Sequence, residues 1–280
     1  MRTAFIVLTY NRPDALLQVL AALARQCGPA HEVLIADDGS RPEHVQALRD
    51  RLPAFRCRVR HVWHPDTGFT IARARNAAAA RTDADYLVFI DGDSVPNPRF
   101  VAQHEALAQA GQFVIGKRVL LEEKLTQDVV QGRVDLQSLG AADWIRLRLA
   151  GQANKLTHLL SVRPRGHVVR DFRWRGIRGA NMAFWRGDFA RVNGFDEAFA
   201  GWGHEDADIV LRLHNSGTVR CNALLGTEVY HLWHRQNSRA DEADNRRRVQ
   251  DRLSGGMIRA ERGLDVALHT TGTVVTELNR

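Results

Sequence analysis

The sequence predicts an α/β fold: a mostly parallel central sheet flanked by helices, closed into a single compact domain. Three observations carry that prediction. Apolar runs of strand length alternate with amphipathic segments of helix length over the first 120 residues. Tyr86–Ile90 is apolar on both faces, as a central parallel strand must be. The polar and acidic motifs fall just beyond the ends of the apolar runs, where open α/β sheets bind ligands.

Thr3–Leu8 reads as a buried strand, broken by Thr9-Tyr10-Asn11-Arg12. Pro13 opens a helix with Leu16, Leu17, Leu20 and Leu23 on one face. Glu32–Ala36 is a second strand. Ser40-Arg41-Pro42-Glu43 then has the form of a capping box for a helix carrying Val45, Leu48 and Leu52. Val59–Trp63 is a strand, Gly68 a turn, and Ala72–Ala80 a strong helix former. After Tyr86–Ile90, a helix is expected over Phe100–Ala110 and a strand over Phe113–Leu121. The middle is less regular: a helix over Asp143–Leu160, then an arginine-rich loop over Arg163–Arg178. A short strand follows Gly179-Ala180-Asn181, His204–Asn215 is a helix stopped by Gly217, and Thr227–His234 is a strand candidate. Residues beyond Arg239 turn polar, with Val249 and Leu253 on an amphipathic helix.

The chain has 280 residues, 44% hydrophobic and 25% charged, ordinary for a globular protein with a substantial core. No basic opening leads into an apolar run, and no apolar stretch approaches the roughly 20 residues that span a bilayer. A cytoplasmic location is therefore expected. Cys27, Cys57 and Cys221 form no Cys-x-x-Cys, so they read as buried free thiols rather than a zinc knuckle or disulfide framework. The formal net charge of +7 rests on arginine, since Lys117, Lys124 and Lys155 are the only lysines. That charge suits phosphate-rich partners and makes the basic tail a candidate for peripheral contact with the inner face of a membrane. No nucleic-acid partner is expected, because an arginine-rich binder leaves the acidic clusters unexplained.

Asp91-Gly92-Asp93 is the sharpest motif. Two carboxylates at the end of a buried strand are costly unless something positive meets them. A hard divalent cation bound to a diphosphate is the natural partner; an ordinary Asp-Gly turn is the alternative. Asp37-Asp38-Gly39-Ser40 is a second acidic strand end, able to accept from a base N–H or ribose hydroxyls, or simply to cap a turn. Gly201-Trp202-Gly203-His204-Glu205-Asp206 leads into a helix. Helical spacing puts Asp206 on the inward face of Ile209, Val210 and Leu213, with Asp208 off it. A carboxylate there suits a general base, or it compensates the helix dipole. His231 and His234, three apart in a strand, point to opposite faces and cannot easily share one metal. No phosphate loop, Gly-x-Gly-x-x-Gly or Gly-x-Ser-x-Gly is present, which weakens kinase, dehydrogenase and hydrolase readings. A nucleotidyltransferase lacks its Gly-rich loop with a lysine near the N-terminus.

These blocks in this order resemble the inverting family 2 glycosyltransferases of the GT-A fold. They resemble in particular chondroitin-polymerase-like transferase domains, with a galactosyltransferase-like second half. The blocks are Thr9–Arg12, Asp37–Ser40, Gly68-Phe69 through Ala74-Arg75-Asn76, Asp91–Asp93 with Pro96-Asn97-Pro98, Gly179–Asn181, Gly194–Glu197, Gly201–Asp206 and Tyr230-His231. The resemblance spans about Thr3 to Asn237. It implies transfer of a hexosyl or N-acetylhexosaminyl group from a nucleotide-diphosphate sugar, as in polysaccharide biosynthesis, with UDP the family's common carrier and GDP or dTDP the alternatives. The acceptor is a glycan, a lipid-linked sugar or a small molecule.

By resemblance, Thr9, Tyr10, Asn11, Arg12, Asp37, Asp38, Arg75 and Asn76 contact the donor, with Asp91 and Gly92. Asp93, with Asp91 and His231, holds Mn2+ or Mg2+. Asp206 is the general base beside Glu205, and Asn181, Trp202 and Gly203 border the acceptor. The implied division is a nucleotide-sugar half over 1–120, an acceptor and catalytic half over 121–240, and a basic tail over 241–280. His204 stands where relatives often carry Gly, which narrows the acceptor pocket. Gly92 leaves the backbone free to approach the sugar. Arg163–Arg178 and the tail have no family role and read as solvated basic surface.

Overall fold

A computed structural model describes residues 1–160, 166–174, 176–223, 225–235, 239–269 and 271–279. The elements in chain order begin with β1 (Thr3–Thr9), α1 (Pro13–Ala24), β2 (His31–Asp37), α2 (Pro42–Asp50), β3 (Arg58–Trp63), α3 (Ile71–Ala79) and β4 (Tyr86–Asp91). There follow β5 (Ser94–Pro96), α4 (Phe100–Leu107), β6 (Gln112–Ile115), β7 (Arg118–Leu120), α5 (Glu123–Val130), α6 (Ala141–Leu149) and β8 (Gly166–Val169). The remainder comprises β9 (Asn181–Trp185), α7 (Arg186–Arg191), α8 (Glu205–Asn215), β10 (Val219–Ala223), β11 (Val229–His231), α9 (Glu242–Leu253), α10 (Leu264–Ala267) and β12 (Val274–Glu277).

Strand periodicity explains the layers. Along β1, Phe5 and Val7 enter one apolar cluster with α1, α4 and α5. Ala4 and Ile6 enter the other, with α3 and α8. The main sheet runs β12-β3-β2-β1-β4-β9-β6-β10-β8. Its first half is parallel: β2 pairs with β3 and β1, and β1 with β4. As a whole the sheet is mixed, because β9 lies antiparallel between β4 and β6, and β8 and β12 close the edges antiparallel. In the order 3-2-1-4 the direction of winding reverses beside β1. The switch point, where sheets of this order hold their ligands in a crevice, therefore lies beyond the carboxyl ends of β1 and β4.

Several expectations shift. The strand expected over Phe113–Leu121 splits at Gly116, whose N–H donates to the Asn181 carbonyl and whose missing side chain makes room for Asn181. Beyond it the chain joins a second sheet, β5-β11-β7. The long helix to Leu160 stops at Leu149, where Gly151 (φ 74°) turns the chain. The arginine-rich segment carries β8, while its residues 163–165 and 175 lie outside the described residues. The strand near Thr227–His234 is confined to β11.

Ser40 caps no helix. Its hydroxyl accepts from Asn11 N–H, and Asn11 Oδ1 accepts from Arg41 N–H at the start of α2. Asp208, expected off the inward face, is fully buried between Arg212 and Arg252. Arg252 also meets Asp196 at 2.8 Å, so this part of the tail is packed structure rather than solvated surface. Val249 is buried as expected, but Leu253 is exposed. All three cysteines are buried and free. Among the described residues, no helix is long and apolar enough to cross a membrane.

Candidate active site

Register brings the acidic motifs together. Thr9 lies opposite Asp37, and Leu8 opposite Asp91, so three strand ends meet in one place. Gly92 follows immediately. A Cβ there would sit 2.5 Å from the Leu8 carbonyl oxygen, so the turn requires glycine to pass β1.

Arg75 crosses the crevice. Its Nη2 donates to Asp91 Oδ1 at 2.8 Å and its Nη1 to Glu205 Oε1 at 3.2 Å. The guanidinium lies over the Phe195 ring, 5.1 Å from its centroid, and is 2% exposed. One buried cation thus ties the end of β4 to the start of α8. Burial pushes the Glu205 carboxyl up, and the Asp206 charge adds to this. Arg75 offsets them only in part, leaving Glu205 at about 7.

Beside this bridge lies a second group. Asp93 Oδ1 is 3.2 Å from His231 Nδ1, and Asp93 Oδ2 is 3.4 Å from His234 Nε2. One ligand atom from each of the three lies within 4.8 Å of the others. Pairing of β5 with β11 sets Ser94 opposite His231, and Leu232 N–H donates to the Asp93 carbonyl. The alternation argument against His234 fails because β11 ends at His231, and the chain beyond it turns the second imidazole back. Asp91 does not join this group; its carboxylate is held by Arg75. Burial alone would raise the Asp93 carboxyl. The His231 hydrogen bond and the charges of His231, His234 and Arg12 outweigh it and hold Asp93 below its ordinary range.

Asp206 opens α8. Its Oδ2 accepts from Gly179 N–H at 2.9 Å and its Oδ1 from Ala207 N–H at 2.8 Å, and it is half-buried, so it remains reachable. The loop before it takes left-handed backbone at Gly201 (φ 72°), Gly203 (φ 102°) and His204 (φ 71°). His204 therefore occupies a conformation that favours glycine, and its ring meets Trp174 edge-on at 5.1 Å. Arg239 covers the Trp202 ring at 4.8 Å.

A sequence profile described as Glycosyl transferase family 2 matches residues 4–174, more than half of the chain. The chain belongs to that family. A second profile, described as the N-terminal domain of galactosyltransferase, matches residues 165–235. Validoxylamine A glucosyltransferase of Streptomyces hygroscopicus subsp. jinggangensis is 30% identical over 76% of this chain and 51% of its own length. Chondroitin synthase of Escherichia coli is 25% identical over 81% of this chain and 34% of its own. This family 2 chain thus spans about half or less of these curated relatives. The S. aureus TarS 1-349 structure in complex with UDP-GlcNAc is 14% identical, with a TM-score of 0.59, over 95% of this chain and 69% of that one. That likeness is one of fold.

Within this family 2 chain, not every expected residue faces the crevice. Asn76 is fully buried. Its Nδ2 donates to the Phe195 carbonyl and its Oδ1 accepts from Phe195 N–H, so it clamps the backbone rather than touching a donor. Asn181 is equally buried, bonded to Thr227 O and 3.0 Å from His104 Nε2, and does not border an acceptor.

Asp37 and Asp38 are also engaged within the protein. Asp37 accepts from Ser40 N–H and lies 2.8 Å from His61 Nε2; Asp38 accepts from Thr70 N–H and Oγ1–H. Thr9 is buried at the end of β1, and Asn11 is occupied with α2. Tyr10 and Arg12 remain available. Tyr10 is 47% exposed with its hydroxyl donating to Asp66. Arg12 lies within electrostatic reach of Asp93. Sequence reasoning missed Arg75 as a bridge, His234, and the Thr70 contact that Asp38 makes.

Proposed function

We propose that this chain moves a hexosyl or N-acetylhexosaminyl group from a UDP-linked sugar to an acceptor hydroxyl, with inversion at the anomeric carbon. The observation that carries the reading is the Asp93–His231–His234 group just beyond the end of β4. Its donor set fits a divalent cation. Two imidazoles beside one carboxylate favour Mn2+ over Mg2+, which prefers an all-oxygen shell. When bound, such a cation neutralises charge on the departing nucleoside diphosphate.

The chain's own residues do the rest. Tyr10 offers a flat exposed ring for the base. Arg75 fixes the end of β4 against the start of α8 and so sets the distance across the crevice. Two backbone N–H groups orient the Asp206 carboxylate. It takes the proton of the acceptor hydroxyl as that oxygen bonds to the anomeric carbon and the bond to the diphosphate breaks. The relatives named validoxylamine A glucosyltransferase and chondroitin synthase support sugar transfer to a glycan or small molecule.

Thermal melts with UDP, with and without Mn2+, test the donor site. Ligand at about 100 times its dissociation constant adds about 2.7 kcal/mol of stability. No Mn2+-dependent shift with any nucleoside diphosphate refutes the reading. Asp206→Asn keeps that shift and loses transfer; retained turnover removes Asp206 as the base.

A further inference from the structure

The three-stranded sheet has a core face and a site face. Val95, Tyr230 and Val119 align in register and are buried. By strand alternation the opposite face carries Ser94, His231 and Arg118. Arg118 therefore stands on the same face as the histidine of the Asp93 group. It lies within electrostatic reach of Asp91, Asp93 and Asp206, the three carboxylates that flank the crevice.

Three more cations gather there. Lys117, just before β7, lies within electrostatic reach of Arg178 and Lys155. Lys155 is delivered by Asn154, whose Oδ1 accepts from Leu120 N–H and whose N–H donates to Leu120 O. Arg178 adjoins Gly179, whose N–H holds Asp206. Among the described residues, none of the four makes an ion pair, and Arg178 donates only to the neighbouring Ile177 carbonyl.

Two of the nearby anions are otherwise engaged. Asp91 is held by Arg75, and Asp93 by the two histidines. Glu228 is fully buried; one oxygen accepts from Gly226 N–H, the other has no hydrogen-bond partner among the described residues, and its charge acts on Lys117 and Lys155. Burial lowers the Lys117 and Lys155 ammonium groups; neighbouring cations lower them further, and the Glu228 charge offsets this only in part. The four cations outnumber the anions left to them, Glu228 and Asp206, and that excess of positive charge fits an arriving anion.

We propose that Lys117, Arg118, Lys155 and Arg178 form a subsite for a carboxylate or phosphate group on a substrate, distinct from the donor diphosphate at Asp93. The inference rests on the transferase reading above. The anion can belong to the transferred sugar or to the acceptor, and the two arms of one titration experiment separate these sources. In the first arm the full chain with Mn2+ is titrated with UDP, UDP-glucose and UDP-glucuronate. In the second, the chain saturated with Mn2+ and UDP is titrated with glucose, glucose 6-phosphate and glucuronate.

In one arm the charged ligand binds about tenfold more tightly than its neutral counterpart. In a Lys117→Gln/Lys155→Gln variant that ratio falls to about two or less, while UDP affinity stays within about twofold. Arg178→Gln, an exposed change that spares the fold, moves the ratio the same way. No charged preference in either arm overturns the subsite. So does a loss of UDP affinity as large as that of the charged ligand, which would assign these cations to the diphosphate. If UDP shows no Mn2+-dependent binding to the unaltered chain, the transferase reading fails and the subsite falls with it.

Discussion

Replacing Arg75 with methionine keeps its length and removes the one charge that faces both Asp91 and Glu205. Removing one partner of a buried ion pair costs about 3–5 kcal/mol, because the remaining charge stays desolvated. Here the two orphaned carboxylates differ. The Asp91 side chain is 29% exposed and regains water, whereas Glu205 is buried. Glu205 stands at about 7 with Arg75 present, so without Arg75 it rises further and takes up a proton near neutrality. That escape sets the loss near the lower end, about 3 kcal/mol at pH 7. It also makes the loss pH-dependent. At pH 5.5 Glu205 is already protonated in both proteins, so less is lost; at pH 8.5 the difference is larger by about 1–2 kcal/mol. Urea melts read this directly. With a slope near 3 kcal/mol per molar for a chain of this size, the midpoint drops by about 1 M at pH 7. Turnover falls by about a hundredfold, since α8 loses its tie to β4 and Asp206 shifts. A midpoint within about 0.3 M of the parent, or an equal loss at both pH values, refutes the bridge.

Two further predictions follow from the same geometry. Glu205 is raised from 4.5 to about 7, so the folded state binds its proton more tightly than the unfolded chain. The parent therefore loses roughly 3 kcal/mol of stability from this group as pH rises from about 4.5 through 7. Glu205→Gln removes that slope, and parallel stability–pH curves for the two proteins would contradict it. At the cation group, His231→Ala and His234→Ala each weaken the Mn2+-dependent UDP shift to a similar extent. An unaffected His234→Ala protein would exclude the second imidazole as a ligand.

Those tests concentrate on residues whose roles local pattern alone does not assign. The first parallel strands and their helices are written in local periodicity, and their acidic ends follow because buried strands in register finish together. Leu8 opposite Asp91 and Thr9 opposite Asp37 needed nothing more. The insertion of β9 between β4 and β6 pairs segments about a hundred residues apart, and no local pattern encodes it.

Arg75 and Asn76 show the limit within the site. Adjacent helical residues point about 100° apart, so the two present different faces of α3. Only the closed structure shows that both serve the frame: Arg75 meets carboxylates 16 and 130 residues away, and Asn76 holds Phe195. His234 fails for a related reason. Alternation holds only while a strand continues, and β11 lasts no longer than its three-residue pairing with β5. Where pairing stops, side-chain direction is set by the turn. That freedom lets two histidines three residues apart converge on one aspartate.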